Sequence, residues 1–197
     1  MIEWINFISL LLGIGLFSIL YTISLQPKKR SGDRGESAWK ECKRFRTVAG
    51  ALEFLIVINT IMWIWFPLPL VQARVHSNLF VGIGTGLSIL GIGGTIMIKG
   101  IMDAGKETYE PSEDTEMYGG IYKHIRHPQS LGEFPMFVAV GFIVNSWFLV
   151  ILLTAWIVVY LPIMIHIEEA DLVRRFGNAY KRYQETTGAL FPKLHGE

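Results

Sequence analysis

The chain has 197 residues, of which 51% are hydrophobic and 18% are charged, and its formal net charge is +1 at pH 7. This balance of charge excludes a strongly basic nucleic-acid-binding surface, and the single cysteine, Cys42, excludes a disulfide framework within the chain. The charged residues are grouped, and long uncharged runs separate the groups. This arrangement is typical of an integral membrane protein.

Apolar runs predict an all-α fold with about five transmembrane helices, because a span needs about 20 mostly apolar residues. The first three predicted spans cover residues 4–25, 48–71 and 79–98. The run 134–167 is too long for one span, since about 1.5 Å per residue would exceed a hydrocarbon core of about 30 Å. The polar pair Asn145-Ser146 predicts a break there, so the last two spans are expected to form a helical hairpin.

The distribution of lysine and arginine predicts the orientation in the membrane. The predicted loop 26–47, which also contains Cys42, carries eight of these residues, and further ones follow the third and fifth spans. The opposite side has only Arg74. The N-terminus is therefore expected outside and the C-terminus in the cytoplasm. The first span lacks a basic n-region and a small-residue cleavage site, so a cleaved signal peptide is not expected.

The third predicted span contains the glycine-rich run GIGTGLSILGIGGT at residues 82–95. It lacks the strand–turn–helix context of a dinucleotide-binding loop. The Gly82/Gly86 and Gly91/Thr95 spacings instead predict close packing between helices.

Three other features have no assigned chemistry. Glu53 lies in the second predicted span, where it either pairs with a basic group or lines a polar cavity, or else lies near the membrane interface. The acidic segment 107–120 predicts a solvated surface loop. No cysteine or histidine spacing predicts a metal site.

The stretch HIRHPQSLGEF, residues 124–134, places ionisable groups at the start of a membrane helix. Pro128 is suited to the first helical position, which makes His127 the N-cap and leaves backbone amides exposed to a carboxylate or phosphate. Arg126 adds a planar fork suited to a carboxylate. The alternative is that these residues only anchor the helix among lipid headgroups.

A second polar stretch, EEADLVRRFGNAYKRY, ends the last predicted span. The i, i+4 spacing puts Glu168, Leu172 and Phe176 on one helix face with Glu169 beside them, and Gly177 predicts a break. The alternative is a solvated acidic collar. Since both stretches are predicted on the cytoplasmic side, they can form one pocket where a polar, nucleotide-like ligand meets a lipophilic molecule from the bilayer.

The two stretches together also resemble a known family. The shared residues are Gly120, Tyr122, Arg126, His127, Pro128, Gly132, Glu168, Glu169, Phe176, Gly177, Tyr180 and Tyr183. In this order they resemble the isoprenylcysteine carboxyl methyltransferases, which are integral membrane enzymes. The resemblance covers residues 118–192. It implies one membrane domain over residues 1–197, with the first three spans and the basic loop in 1–102 and a catalytic region with a cofactor pocket in 103–197.

The resemblance implies an S-adenosylmethionine-dependent methyltransferase that acts on a lipophilic acceptor, with carboxyl O-methylation of a prenylated cysteine as the expected reaction. Arg126 would orient a carboxylate as the catalytic residue. The residues expected to hold the cofactor are Tyr122, His124, His127, Pro128, Leu131, Glu168 and Glu169. The expected partners are the acceptor and membrane lipids, with no nucleic acid and no metal.

Two departures from the family pattern leave the acceptor open. Ser130 stands where the family commonly has tyrosine, and the tail after Tyr183 lacks the arginine that is thought to bind the substrate carboxylate. A phospholipid or small-amine N-methyltransferase is therefore the first alternative. An NADPH-dependent reductase of the sterol type is a more distant one, because such enzymes tend to have more spans, and a non-enzymatic membrane protein is the third.

Overall fold

A computed structural model describes residues 1–110 and 119–193, and within these residues every regular element is a helix. The α-helices are α1 (Ile2–Ser24), α2 (Pro27–Arg34), α3 (Ser37–Met62), α4 (Leu79–Ala104), α5 (Pro128–Ile143), α6 (Trp147–Phe176) and α7 (Asn178–Thr186). Short 3₁₀ helices cover Gly105–Thr108 and Gly120–Lys123. The predicted all-α class is confirmed.

Four helical segments among the described residues are long and apolar enough to cross a membrane: Ile2–Ser24, Ser37–Met62, Leu79–Thr108 and Trp147–Phe176. These segments support the membrane-protein class. The fifth predicted span is not confirmed, because α5 has only 16 residues. The predicted transmembrane hairpin is likewise not confirmed, although α5 and α6 are joined by only three residues.

The break between α5 and α6 lies where the polar pair predicted it. Asn145 has a positive φ of 59°, a conformation that asparagine tolerates better than most residues. Its side chain accepts a hydrogen bond from the His76 amide and donates one to the His76 carbonyl, each at 3.0 Å. The Ser146 hydroxyl caps α6 by accepting a hydrogen bond from the Leu149 amide.

The prediction of a basic loop over residues 26–47 was wrong. Residues 27–34 form α2, and α3 begins at Ser37, eleven residues before the predicted second span. Opposite charges stabilise these polar helices against each other, since Arg30 and Arg34 both form ion pairs with Glu41 at 3.0 and 2.7 Å. Cys42 is buried in α3, where its thiol donates to the Ile23 carbonyl.

The glycines of α4 form a close antiparallel seam with α5. A Cβ added at Gly82 or Gly93 would lie 2.5 Å from a carbonyl oxygen of α5, and one at Gly86 would lie 2.6 Å from another. The seam continues to Gly100, beside Pro128 at the start of α5. The predicted packing at Gly82/Gly86 is therefore observed. Gly91 and Thr95 lie on the exposed face and make no such contact within the described chain, so packing there stays a prediction; the seven-residue repeat 86–93–100 faces α5.

Aromatic rings join α1, α5 and α6 in the core. The ring centroids of Phe17, Phe134 and Trp156 lie 5.7 to 6.4 Å apart, and Tyr160 stacks on Trp156. Such pairs add to the stability that burial alone provides. This core fixes α1 and α5 against the middle of α6, and the cavity lies beyond it, beside the last turns of α6.

Candidate functional site

One cavity lies at the end of the bundle where α1 ends, α5 begins and α6 runs on into its polar last turns. Residues of both polar stretches line it, including Arg126, His127 and Glu168. The face predicted for Glu168, Leu172 and Phe176 also lines it. Its volume of about 100 Å³ is below the roughly 300–1,000 Å³ of typical small-molecule sites, so a nucleoside-sized ligand requires its wall side chains to move apart.

The start of α5 follows the prediction, with Pro128 in the first turn and His127 as N-cap. A segment after α7 pairs with the backbone just before this helix. The amides of Arg126 and His127 donate to the carbonyls of Gly188 and Ala189, both at 2.9 Å. These two amides are thus satisfied by the chain itself.

His127 lies between two carboxylates. Its Nδ1 is 3.2 Å from Glu168 Oε2 and its Nε2 is 3.0 Å from Glu169 Oε1. Both ring nitrogens can donate to a carboxylate only when the ring is protonated. Burial lowers the pKa of His127, but the hydrogen bonds to Glu168 and Glu169 outweigh it and raise this pKa from 6.5 to about 9. His127 is therefore a cation at neutral pH.

Glu169 and Arg126 fasten α7 to this wall. Arg126 Nε donates to Glu169 Oε1 at 2.7 Å, and its Nη1 donates to the carbonyls of Gln184 and Thr187. The Gln184 side chain donates to Glu169 Oε2 at 2.8 Å. Glu169 does not line the cavity, whereas Glu168 does and has 28% of its side chain exposed. Of the two acids, Glu168 is the one presented to a ligand.

A chain of hydrogen bonds orders the next part of the wall. The Gln129 side-chain amide donates to the Tyr122 hydroxyl at 2.8 Å and to the Thr108 hydroxyl at 3.0 Å. The Tyr183 hydroxyl donates to the Tyr122 carbonyl. Burial is the main reason why the pKa of Tyr122 lies well above its usual value, so its hydroxyl stays protonated.

The wall contributed by α3, α6 and the 3₁₀ helix after α4 contains charged residues that the sequence did not mark as site residues. Glu107 and Arg175 form an ion pair of 2.6 Å, with side-chain exposures of 7% and 4%. Arg46 donates from Nη1 to the carbonyls of Glu107 and Thr108, both at 3.1 Å. The prediction that the acidic segment is solvated was wrong for Glu107. Residues 111–118 of that segment lie outside the described residues.

Asp171 on α6 binds the start of α2. Its two carboxylate oxygens accept hydrogen bonds from the amides of Lys28 and Lys29 at 3.0 and 2.7 Å. A carboxylate at a helix N-terminus is favoured by the helix dipole. This contact brings Pro27 to the cavity wall.

The structure brings together some of the predicted site residues and not others. Tyr122, Arg126, His127 and Glu168 line the cavity. His124 is exposed on the surface, and Pro128 is buried beneath the α4 seam. Leu131 and Glu169 are near the cavity in sequence and space without lining it. Arg175 lies two turns after Glu168, so helical periodicity extended along α6 would have placed it on the same face. No local pattern marks Glu107 or Arg46.

Glu53 has a partner that the sequence did not suggest. Its carboxyl group hydrogen-bonds to that of Glu133 on α5, rather than to a basic group. A hydrogen bond between two carboxyl groups requires a proton on one of them. The pair lies one helical turn beyond the cavity residues Gln129 and Ser130, toward the middle of the bundle.

Comparison with known proteins places the chain among methyltransferases. The model of the family described as phospholipid methyltransferase matches residues 81–179, a region that runs from α4 to the start of α7. A relative, the methanethiol S-methyltransferase of Pseudomonas deceptionensis, is 30% identical over 151 residues. The aligned region covers 71% of this chain and 56% of the relative, so the chain spans little more than half of that protein.

No solved structure shows significant similarity to the chain. The family match covers half of the chain and contains Glu107, Arg126, His127, Glu168 and Arg175. The resemblance to membrane methyltransferases is thereby confirmed, and the chain belongs to the phospholipid methyltransferase family.

Proposed function

We propose that this protein transfers a methyl group from S-adenosylmethionine, bound in the cavity, to a lipophilic acceptor that arrives from the membrane. The observation that carries the proposal is the convergence of the two polar stretches on one cavity at the end of an apolar bundle. Membership of the methyltransferase family supports it. The proposal places the cavity on the cytoplasmic side, as the lysine and arginine distribution predicts.

The donor set of the cavity suits this cofactor. Glu168 presents a carboxylate suited to ribose hydroxyls, and the Phe176 and Tyr183 rings offer apolar surface to a base. Arg46 and Arg175 supply positive charge for a carboxylate. When bound, the cofactor supplies an electrophilic methyl group on a sulfonium sulfur. The chain's own contribution is to orient the reactants and to exclude water.

We propose a small apolar thiol as the acceptor, because the relative is named a methanethiol S-methyltransferase. The carboxyl group of a prenylated cysteine is the second candidate, on the resemblance described above. Arg126, the residue expected to orient that carboxyl group, already donates to Glu169, Gln184 and Thr187. This observation favours the thiol over the carboxylate.

Binding of S-adenosylhomocysteine, measured by calorimetry on the purified protein in detergent, tests the cofactor. The substitution Glu168→Gln should weaken binding about 10-fold or more, because it removes a charged hydrogen-bond acceptor. The neighbouring Glu169→Gln should mainly lower the melting temperature, since Glu169 holds α7. Binding of NADPH without binding of S-adenosylhomocysteine would indicate the reductase class instead.

Transfer of a labelled methyl group tests the acceptor. The candidates are methanethiol, a farnesylated N-acetylcysteine and a phosphatidylethanolamine, each offered with labelled S-adenosylmethionine. We expect a labelled thioether from methanethiol. Exclusive labelling of the farnesylated compound as a methyl ester would support the second candidate, and labelling of the amine alone would refute both.

A further inference from the structure

Three charged side chains form one corner of the cavity, named here the arginine corner: Arg46 on α3, Glu107 after α4, and Arg175 on α6. The corner holds two guanidinium groups and one carboxylate, so it carries a net positive charge. The Glu107–Arg175 ion pair is almost fully buried. Burying an ion pair costs several kcal/mol in desolvation that the pairing often does not recover, so such pairs are weak evidence of a purely stabilising role.

Aromatic rings hold the Arg175 side chain in place. Its guanidinium carbon lies 5.3 Å from the Trp39 ring centroid and 4.7 Å from that of Phe176. These cation–π contacts fix the planar group where it lines the cavity, before any ligand arrives. A fixed guanidinium loses little conformational entropy when it binds a carboxylate.

Arg46 carries a buried donor that the described residues leave unsatisfied. Its Nη1 and Nη2 atoms donate to backbone carbonyls, which fixes the side chain. Its Nε–H is buried and has no acceptor among the described residues. An unsatisfied buried donor costs about 1–3 kcal/mol, so its presence in a cavity wall calls for an acceptor on a ligand.

We propose that the arginine corner binds the amino-acid end of S-adenosylmethionine. The cofactor carboxylate binds Arg175 and the free Nε–H of Arg46, and its ammonium group binds Glu107. The Glu107–Arg175 ion pair is thus replaced by two ion pairs with the ligand, one from each residue. Because the amino-acid end of the cofactor is a zwitterion, the net charge of the corner does not change. This assignment rests on the proposed function and adds to it a direction for the cofactor within the cavity.

The part of the cavity around Glu168, which lies two helical turns before Arg175 on α6, suits the other end of the cofactor. Glu168 is the exposed carboxylate there, while the cations His127 and Arg126 are turned toward Glu168, Glu169 and backbone carbonyls. A second carboxylate near Glu168 would be repelled, whereas ribose hydroxyls can donate to it. The arginine corner and the surroundings of Glu168 therefore suit different ends of the ligand. When Arg175 and Glu107 move apart to bind the ligand, they also enlarge the cavity, whose volume is about 100 Å³ in the structure.

Two ligands that differ only in the amino-acid end test the assignment. S-adenosylhomocysteine has that end, and 5′-methylthioadenosine lacks it. In the full-length protein, Arg175→Gln should weaken S-adenosylhomocysteine about 10- to 100-fold, the usual range for a lost charged hydrogen bond. The affinity for 5′-methylthioadenosine should change less than about twofold. The adjacent, exposed Arg174 provides the control Arg174→Gln, which should change neither affinity.

The outcomes separate the assignment from the proposed function. Equal weakening of both ligands by Arg175→Gln would give Arg175 a structural role and overturn the assignment, as would two unchanged affinities. If wild-type protein binds neither ligand, the proposed function itself fails. If Arg175→Gln does not fold, Arg175→Lys replaces it, because lysine keeps the charge without the planar guanidinium group. The assignment then requires that Arg175→Lys weaken S-adenosylhomocysteine more than 5′-methylthioadenosine.

Discussion

Replacing His127 with glutamine should remove most of the pH dependence of stability between pH 6.5 and 9. In the folded protein the pKa of His127 is raised to about 9 by Glu168 and Glu169, against 6.5 when the chain is unfolded. The folded state therefore binds the proton more tightly. The resulting stabilisation is fully present below pH 6.5 and is lost as the pH rises through 9.

The size of this effect follows from the difference in pKa. A difference of about 2.5 units at about 1.36 kcal/mol per unit gives roughly 3 kcal/mol as an upper value. For a chain of 150–250 residues, each kcal/mol shifts the melting temperature by about 2–4 °C. The wild-type protein should thus lose about 6–12 °C between pH 6 and 9.5, beyond any loss common to both proteins.

Thermal melting in detergent at a series of pH values, followed by intrinsic fluorescence, measures the effect. The variant lacks the stabilisation by the His127 cation, which is full below pH 6.5 and lost above pH 9, so the readout is the slope of melting temperature against pH and not its absolute value. Other groups titrate equally in the two proteins, and the difference in slope isolates His127. Parallel curves for the wild type and the variant would show that His127 is not held as a cation between the two acids.

Three further substitutions test contacts that position the site. Gly93→Ala should lower stability by about 1–3 kcal/mol in thermal melting, because its Cβ would meet the Gly132 carbonyl at 2.5 Å. Asp171→Asn should speed tryptic cleavage within 27–34, because the start of α2 loses about 1 kcal/mol of helix-dipole and hydrogen-bond stabilisation. Asn145→Ala should lower the melting temperature by an amount equivalent to about 2 kcal/mol, since alanine disfavours positive φ and loses both hydrogen bonds to the adjacent loop.

Gly91→Ala is the control for Gly93→Ala, and each of the three predictions has an outcome that would contradict it. Gly91→Ala places a Cβ where nothing lies within 4 Å, so it should leave stability unchanged or slightly higher. If it destabilises as much as Gly93→Ala, the α4–α5 seam is not the cause. Tryptic cleavage of Asp171→Asn at the wild-type rate would mean that α2 is held by other contacts. An Asn145→Ala melting temperature equal to that of the wild type would show that the turn bears no conformational cost.

Local signals predicted the parts of the structure that depend on neighbours in sequence. Pro128 marks the start of α5 because its fixed φ and missing N–H suit only the first turn. The break at Asn145 and the common face of Glu168, Leu172 and Phe176 follow in the same way from backbone preference and helical periodicity. The helix ends were less predictable. Residues 37–47 are polar, and their helix is stabilised by ion pairs with α2 that no local pattern reveals.

The missed residues depend on contacts between distant segments. Glu107 and Arg175 are 68 positions apart, and Glu53 and Glu133 are 80 apart. Each of the four was read as an isolated charge, or not considered, because its partner is defined only after the helices pack. For Arg126 the sequence led to the opposite error, because a ligand was expected where the chain itself provides the partner. Its chemistry suggested a ligand, whereas the folded chain already supplies its acceptors.

The contacts between the α5 start and the segment after α7 bear on how the protein is made. Gly188 and Ala189 accept the hydrogen bonds of the Arg126 and His127 amides, and Thr187 accepts one from the Arg126 side chain. Synthesis proceeds from the N-terminus, so the four membrane-length helices described above are synthesised before these acceptors. A nascent chain that has not yet reached Ala189 therefore has its helices but an unfinished cavity wall. Formation of the site therefore depends on residues that follow the last membrane-length helix, and not on the membrane-length helices alone.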